Sequence, residues 1–584
     1  MDSAAPRRYA LVYLSSPSKG AVMDRKAKRT LGWVLAAALA LPLAPPVQAA
    51  PDGVAGAYLA GRAASLNSDY RDAARYYARA LMRDRANPAL MESAAIAFLA
   101  LGDQASAYPI ALKLAEGYPT NQIANLILAA DVLGPDGSLD MDVPSVGPVG
   151  DLLVAGWRAL DRGRPAEALA AFDEMIDDPR TRAFGIYHKA MALAQVGDFE
   201  GADALFLEDG SIAASLSGRA IIAHAQVLAQ LDRADEARTL IETRIGADDP
   251  RGAAILDALD AGTLVFDVVP DPAAGYAETF FTVAIALNGQ AADAFTLLYA
   301  RLAQILAPEH IDALLLTASL LEDLEQFDLA NQVYDKVPRD SPAFLTAEIG
   351  RANVLREAGK ADAAIEVLTQ LVETHGDVAR VHAALADTHR RMENFAEAAE
   401  AYDAAIAIAE AQGQDDWVLY YARGIAHERI GDWDEAEVDL RRALELNPGQ
   451  PMVLNYLGYS FVEMGENMDE ALAMIEEAVA ARPDNGYITD SLGWVLYRME
   501  RYEEAVPLME RAVALEPLDP IINDHLGDVY YAVNRKREAE FQWKRALSFD
   551  PEEEDAERIR RKLQVGLDAV LIEEGADPIH VATD

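Results

Sequence analysis

Alanine recurs along this chain at a nearly fixed interval, and that interval restricts the fold more than any other feature. Ala505 and Ala539 stand 34 residues apart. Each is followed by a large residue (Met509, Trp543), a second alanine (Ala512, Ala546) and a proline (Pro517, Pro551). Each is preceded by a leucine–glycine pair with a large residue three positions on: Leu492-Gly493 with Leu496, and Leu526-Gly527 with Tyr530. Leu457-Gly458, Phe461 and Ala471 give the same pattern one unit earlier. Followed backward, the alanines run through Ala436, Ala398, Ala364, Ala330 and Ala294, then Ala237, Ala202, Ala168, Ala107 and Ala73. Most steps are 34 to 36 residues, with 38 before Ala436, where Ala409–Gln414 lengthens the turn. Thirteen units are readable. A period of this length marks a supersecondary unit that buries its apolar face only by stacking on its neighbours. Such stacking relieves a 584-residue chain of the need for one oversized core.

The spacing has a physical cause. Each unit reads as two antiparallel helices, with small residues where the two touch. Gly458, Gly493 and Gly527 on the first helix, and Ala471, Ala505 and Ala539 on the second, permit close approach; a larger side chain there costs about 1–3 kcal/mol. Pro483, Pro517 and Pro551 close the second helix, because proline cannot continue it. The large residue between the two alanines is expected to fill the gap to the next repeat. A 34-residue helix-pair period is that of the tetratricopeptide repeat (TPR). The expected fold is therefore all-α: a TPR α-solenoid, a right-handed superhelix of antiparallel helix pairs, with at least thirteen repeats and two irregular breaks.

The breaks fall where the alanine step is too long. Between Ala107 and Ala168, a degenerate helix at 121–133 precedes a Gly/Pro-rich loop from Gly134-Pro135 to Pro148-Val149-Gly150. Between Ala237 and Ala294 lies Val265–Pro272, β-branched and proline-bounded, read as an irregular stretch or a short strand. The second break is the expected subdomain boundary, giving an N-terminal array at 51–262, a linker at 263–275 and a C-terminal array at 276–550. Residues 551–584 are expected to form a capping helix and tail, with Ile559 and Leu563 inward and Arg558, Arg560, Arg561 and Lys562 outward, since terminal repeats need a polar cap.

Arg25, Lys26, Lys28 and Arg29 precede an apolar run from Leu31 to Leu41, and prolines at 42, 45 and 46 and small residues at Val47-Gln48-Ala49 follow. That is the layout of a secretory signal peptide cleaved near Ala49/Ala50, and the run is short of the ~20 residues a spanning helix needs. Met23 then reads as the true start, with 1–22 an extension and 23–50 the leader. The expected location is the periplasm. The chain has no cysteine, which removes disulfides, thiol nucleophiles, cysteine metal sites and a cysteine-borne lipid anchor. A formal charge of -44 keeps a long solenoid dispersed and disfavours nucleic acid and anionic membrane surfaces as partners.

Catalytic patterns are missing: there is no Walker A run, no G-x-S-x-G, no H-E-x-x-H and no EF-hand loop. None of the nine histidines pairs with another at helical metal-ligand spacing. His525, beside Asp524, reads as a structural hydrogen-bonding residue. Acidic runs such as Glu503-Glu504 and Glu552-Glu553-Glu554 read as solvated faces or charges at helix N-termini. Neither enzyme activity nor a cofactor or metal is expected.

A TPR array binds along the inner groove lined by its first helices. The groove positions of the last repeats are Asn455, Tyr459 and Glu463, then Asp490, Trp494, Tyr497 and Arg498, then Asp524, Asp528 and Tyr531. Asn455, Asp490 and Asp524 form a polar ladder flanked by aromatics, a combination suited to an extended or helical peptide. The alternative is that the polar residues cap helices or bond to the neighbouring repeat and the aromatics are inter-repeat core.

The runs Leu454-Asn455-Tyr456-Leu457-Gly458-Tyr459-Ser460, Asp490-Ser491-Leu492-Gly493-Trp494 and Ile522-Asn523-Asp524-His525-Leu526-Gly527-Asp528 resemble a proteobacterial family of exported TPR proteins. The resemblance is detailed over about 417–550 and extends elsewhere only as repeats. In pseudomonads that family includes an outer-membrane TPR lipoprotein, the adaptor that brings peptidoglycan hydrolases to a periplasmic carboxyl-terminal processing protease. The resemblance implies a periplasmic adaptor or scaffold whose partners are a processing protease and its hydrolase clients. The lipid-bearing cysteine has no counterpart here. A structural TPR component of an envelope export or assembly complex is the second reading.

Overall fold

The computed structural model describes residues 54–135, 137–208, 218–246 and 249–580. The expected leader and the start at Met23 lie outside these residues. Among the described residues there are thirty helices and no strand. Polar residues set many of the starts. Asn485 accepts a hydrogen bond from Ile488 N–H, and Asp519 accepts from Ile521 and Ile522 N–H, satisfying donors that the first turn leaves open. Pro451 and Pro520 occupy the first helical positions, where the missing N–H costs nothing. The turn between the helices of a repeat needs a left-handed residue: Gly465 has φ 71°, but Glu500 and Asn534 take the same conformation at 61° and 62°.

The alanine register is a packing register. In twelve of the thirteen helix pairs the alanine is the fourth residue of the second helix, and in all twelve, Ala73 to Ala539, its exposure is 0%. Ala294 is the exception, second in Asp293–Leu306 and only partly buried. The fourth residue there is Thr296, at 0% exposure. A β-carbon placed on Gly458 would lie 2.8 Å from Ile475, on Gly493 2.8 Å from Met509, and on Gly527 2.5 Å from Trp543. Met509 and Trp543 therefore sit over the glycine of their own repeat, not in the gap to the next one as the pattern implied. The glycine gives the large side chain somewhere to go.

The chain divides into two compact units, one ending at Leu371 and the other beginning at Val372. The expected boundary at 263–275 lies inside the first. Residues 263–271 are irregular and contain no strand. Val268 and Val269 are buried in a core that continues on both sides of the break, from Tyr70 to Val354.

The reason is a change of direction. Beyond the break, Pro272–Leu287 packs on Pro148–Asp161, and Asp293–Leu306 packs on Pro88–Leu101 and Gln122–Leu133. These are helices of earlier repeats, so the 272–306 pair returns onto the face they present. Gly275 is pressed against Trp157, whose ring a β-carbon there would approach to 2.2 Å. The polar contacts are equally specific. Arg301 Nε donates to Ala100 O at 3.0 Å, Tyr276 Oη to Asp161 at 2.8 Å, and Trp157 Nε1 to His188 at 2.9 Å. Glu278, fully buried, receives Arg219 at 2.9 Å and Tyr187 at 2.7 Å, with His310 at 3.2 Å. Burial alone would raise the Glu278 carboxyl, but Arg219 and His310 outweigh it and hold the group ionised.

Candidate functional site

The candidate residues occupy three consecutive first helices of the second unit, Pro451–Met464, Gly486–Arg498 and Pro520–Ala532. Four-residue steps place Asn455 with Tyr459, Asp490 with Trp494, and Asp524 with Asp528 on one side of each helix. Most of these side chains are interior. Asn455, Asp490, Trp494, Tyr497, Asp524, Asp528 and Tyr531 are all buried. Tyr459 is half-buried and Arg498 is exposed.

The aromatics form a continuous stack. Trp494 lies 4.7 Å from Tyr497 and 3.9 Å from the imidazole of His525, nearly parallel to both rings. Its indole N–H donates to Glu463 at 2.9 Å, and Arg498 approaches the same carboxylate at 3.8 Å. His525 Nδ1 is 2.9 Å from Asp490 Oδ2. Burial opposes the His525 cation, but Asp490 outweighs it, so the pKa stands above the ordinary histidine range. His525 is thus the structural residue its context indicated, clamped between two repeats. Asp490 and Trp494 hold that clamp, so neither can be removed without loosening the junction.

The last first helix is covered by the chain itself. Glu553–Val565 lays Lys562 against it, with Nζ 2.7 Å from Asp524 Oδ2 and 2.7 Å from each oxygen of Asp528. Arg558 adds a second cation 3.5 Å from Asp528. Trp543 Nε1 donates to Asp528 at 2.8 Å, and Tyr531 Oη to Asp568 at 3.0 Å. The Lys562 side chain is 0% exposed. This corrects the outward placement of Arg558 and Lys562: only Arg560 and Arg561 of the four turn toward solvent, onto Glu553 and Glu573. Ile559 is inward, as its periodicity implied. Burial raises the Asp524 carboxyl. It would raise Asp528 too, but Lys562 and Arg558 bring that group below the ordinary range. The sequence signal for this cap was the four-residue spacing of Arg558 and Lys562, which matches that of Asp524 and Asp528.

One alignment of polar atoms is not explained by packing. Tyr421 Oη, Asn455 Oδ1, Asp490 Oδ1 and Asp524 Oδ1 are each buried with no hydrogen-bond partner within the protein. They occupy the fifth position of four successive first helices. A buried polar group left unpaired costs about 1–3 kcal/mol, a cost that Tyr421 and Asn455 carry. Asp490 and Asp524 are paired through their second oxygens, so the four atoms in register form a column of partly unmet hydrogen-bonding capacity. Among the described residues no group of three His, Asp or Glu could hold a metal ion.

Repeat period, alanine register and helix pairing define the chain as a TPR α-solenoid, a fold that serves as a scaffold for protein–protein interaction. Family models of the tetratricopeptide repeat match residues 377–448 in one case and 421–486 and 491–553 in another, all within the second unit. The TPR repeat-containing protein PA4667 of Pseudomonas aeruginosa is similar, at 29% identity over 177 residues, spanning 30% of this chain and 29% of that one. The match thus covers less than a third of the relative's length. Among solved structures, Cut9 with Hcn1 from an APC/C hetero-tetramer shares 13% identity over 88% of this chain and 96% of that one, with a TM-score of 0.37. Yeast Tom70 shares 14% over 89% and 98%, with a TM-score of 0.34.

Proposed function

We propose that this protein is a periplasmic adaptor that docks other proteins on the inner face of its second unit and presents them to a processing protease or another cell-envelope enzyme. The observation that carries the docking reading is the column at Tyr421, Asn455, Asp490 and Asp524. The fold leaves one oxygen of each group without a partner, although His525 and Lys562 meet the other oxygen of Asp490 and Asp524. The backbone N–H groups of a docked segment are donors. Tyr459, Glu463 and Arg498 form the half-open edge of the same face. Export rests on the leader-like residues 25–49, and the choice of partners on the resemblance carried by 454–528.

The decisive variant is Asn455→Leu. Asn455 gives up no hydrogen bond within the protein through its Oδ1, so stability should hold or rise. With a photo-crosslinker at Tyr459, the unmodified protein in the periplasm should crosslink to a protease or a peptidoglycan hydrolase, and Asn455→Leu should reduce that product at least tenfold. Crosslinks to a membrane export complex instead would establish the second, structural reading. Undiminished crosslinking by Asn455→Leu would refute docking on the column.

A further inference from the structure

The first helix pair carries a charge pattern opposite to that of the chain. Arg71, Arg75, Arg79 and Arg83 recur at every fourth residue of Tyr70–Arg83, and all four are exposed. Each such step turns only about 40° around a helix, so they form one stripe. Met82, 65% exposed, falls within it. Tyr76 lies among the arginines, its ring centre 4.8 Å from Arg75 and 5.8 Å from Arg79. On the neighbouring helix Val54–Leu66, Leu59 (62% exposed), Arg62 and Leu66 (78%) share a face at spacings of three and four.

Counter-charge is sparse. Arg75 pairs with Asp72 at 2.9 Å, and Arg71 lies near enough to Asp328 to help hold that carboxyl down, after Lys360. Among the described residues no carboxylate is within ion-pair distance of Arg62, Arg79 or Arg83. Residues 54–87 hold six arginines and three aspartates in a chain of formal charge -44. The outer face of a solenoid is ordinarily polar, yet Leu59 and Leu66 are exposed beside these arginines.

We propose that this end of the array is a docking surface for an anionic phospholipid bilayer. Arginines beside protruding leucine and methionine side chains match the headgroup–acyl boundary, where guanidinium groups meet phosphate and apolar tips enter the hydrocarbon. An acidic protein would satisfy the arginines but leave Leu59, Leu66 and Met82 beside a polyanion. The acidity of the remaining chain does not forbid contact, because charges farther than about 8 Å are screened at physiological salt.

The test is partitioning of the full chain onto vesicles of phosphatidylglycerol and phosphatidylcholine, compared with phosphatidylcholine alone. The apolar run Leu31–Leu41 is present in every sample, so neutral vesicles report its contribution. The protein should bind anionic vesicles, release them in high salt, and bind neutral ones far less. Each arginine near such a surface is worth about fivefold, so R75E/R79E/R83E should lower partitioning a hundredfold or more. Leu59→Ser with Leu66→Ser should weaken binding and leave its salt dependence unchanged. Equal binding to neutral vesicles, or unchanged binding by the charge-reversed variant, overturns the proposal. Binding of soluble polyglutamate without vesicle binding would reassign the stripe to an acidic protein.

Discussion

Lys562→Met tests how the second unit is closed. The Lys562 side chain is 0% exposed and touches three carboxylate oxygens at 2.7 Å. No solvent screening discounts its contribution, and methionine keeps most of its volume. The substitution leaves Asp524 and Asp528, 11% and 1% exposed in their side chains, facing one guanidinium, Arg558, at 3.9 and 3.5 Å. Removing one partner from a buried charge cluster costs about 3–5 kcal/mol, because the remaining charges stay desolvated. Arg558 offsets part of that, so about 3 kcal/mol is expected. Repeats unfold semi-independently, and a global melting curve would dilute the effect. Native-state hydrogen exchange reads it directly: amides of 553–573 and 520–532 should exchange about a hundredfold faster, while those of 379–446 hold. Adding Asp528→Asn should recover part of the loss by removing one of the stranded carboxylates. A loss under about 1 kcal/mol, or faster exchange spread evenly along the unit, would refute the view that Lys562 fastens the terminal helix.

Gly527→Val brings a branched side chain to a position where even a β-carbon meets Trp543 at 2.5 Å; denaturation of the second unit should show a loss of at least about 1–3 kcal/mol, against little change for Gly359→Ala controls corrected for backbone strain at φ 74°. Gly275→Leu should displace the returning helix from Trp157, seen as increased protease sensitivity of 263–306 and a shifted Trp157 emission. The pKa of His525 is raised on folding, so its contribution is complete below the unfolded value of about 6.5 and lost as pH rises through the folded value. Exchange protection at the junction of Gly486–Leu515 with Pro520–Leu547 should therefore decline on going from pH 6 toward 8, and His525→Asn should abolish that dependence. Glu500→Gly relieves a left-handed residue at φ 61° and should stabilise its repeat by about 1 kcal/mol, read as a raised denaturation midpoint.

The helix pairs were legible because their signal is local and repeated. The buried fourth residue is alanine in twelve of the thirteen pairs, and the first helices crossed by Met509 and Trp543 carry glycine there, so most repeats restate the rule. Exposure of the candidate site was not legible. Position along a first helix indicates which side a residue faces, but not whether the neighbouring repeat covers it. Trp494 is interior because His525 lies 3.9 Å away, and that contact depends on the stacking of repeats. Much of the polar–aromatic ladder secures the junctions between repeats.

What the repeat pattern conceals is how the faces of the repeats are filled, because that depends on residues that occur once. Glu278 is the only charged residue of Pro272–Leu287, and it has no reason to sit buried in such a helix unless a cation from elsewhere meets it. Arg219, 59 residues earlier in sequence, does. Ala294 slips out of register in the next helix for the same cause, since a pair that packs onto earlier repeats answers to their surface and not to the period. Lys562 repeats the device within the second unit, a single buried cation fixing a helix against the acidic face of the last repeat. Departures from the period are therefore the informative positions in this chain. Where a repeat gains a buried charge or loses its alanine, it has become a ligand for the array that contains it. The column of polar atoms from Tyr421 to Asp524 is the complementary case, since there the period is kept and one oxygen of each group has no partner in the chain.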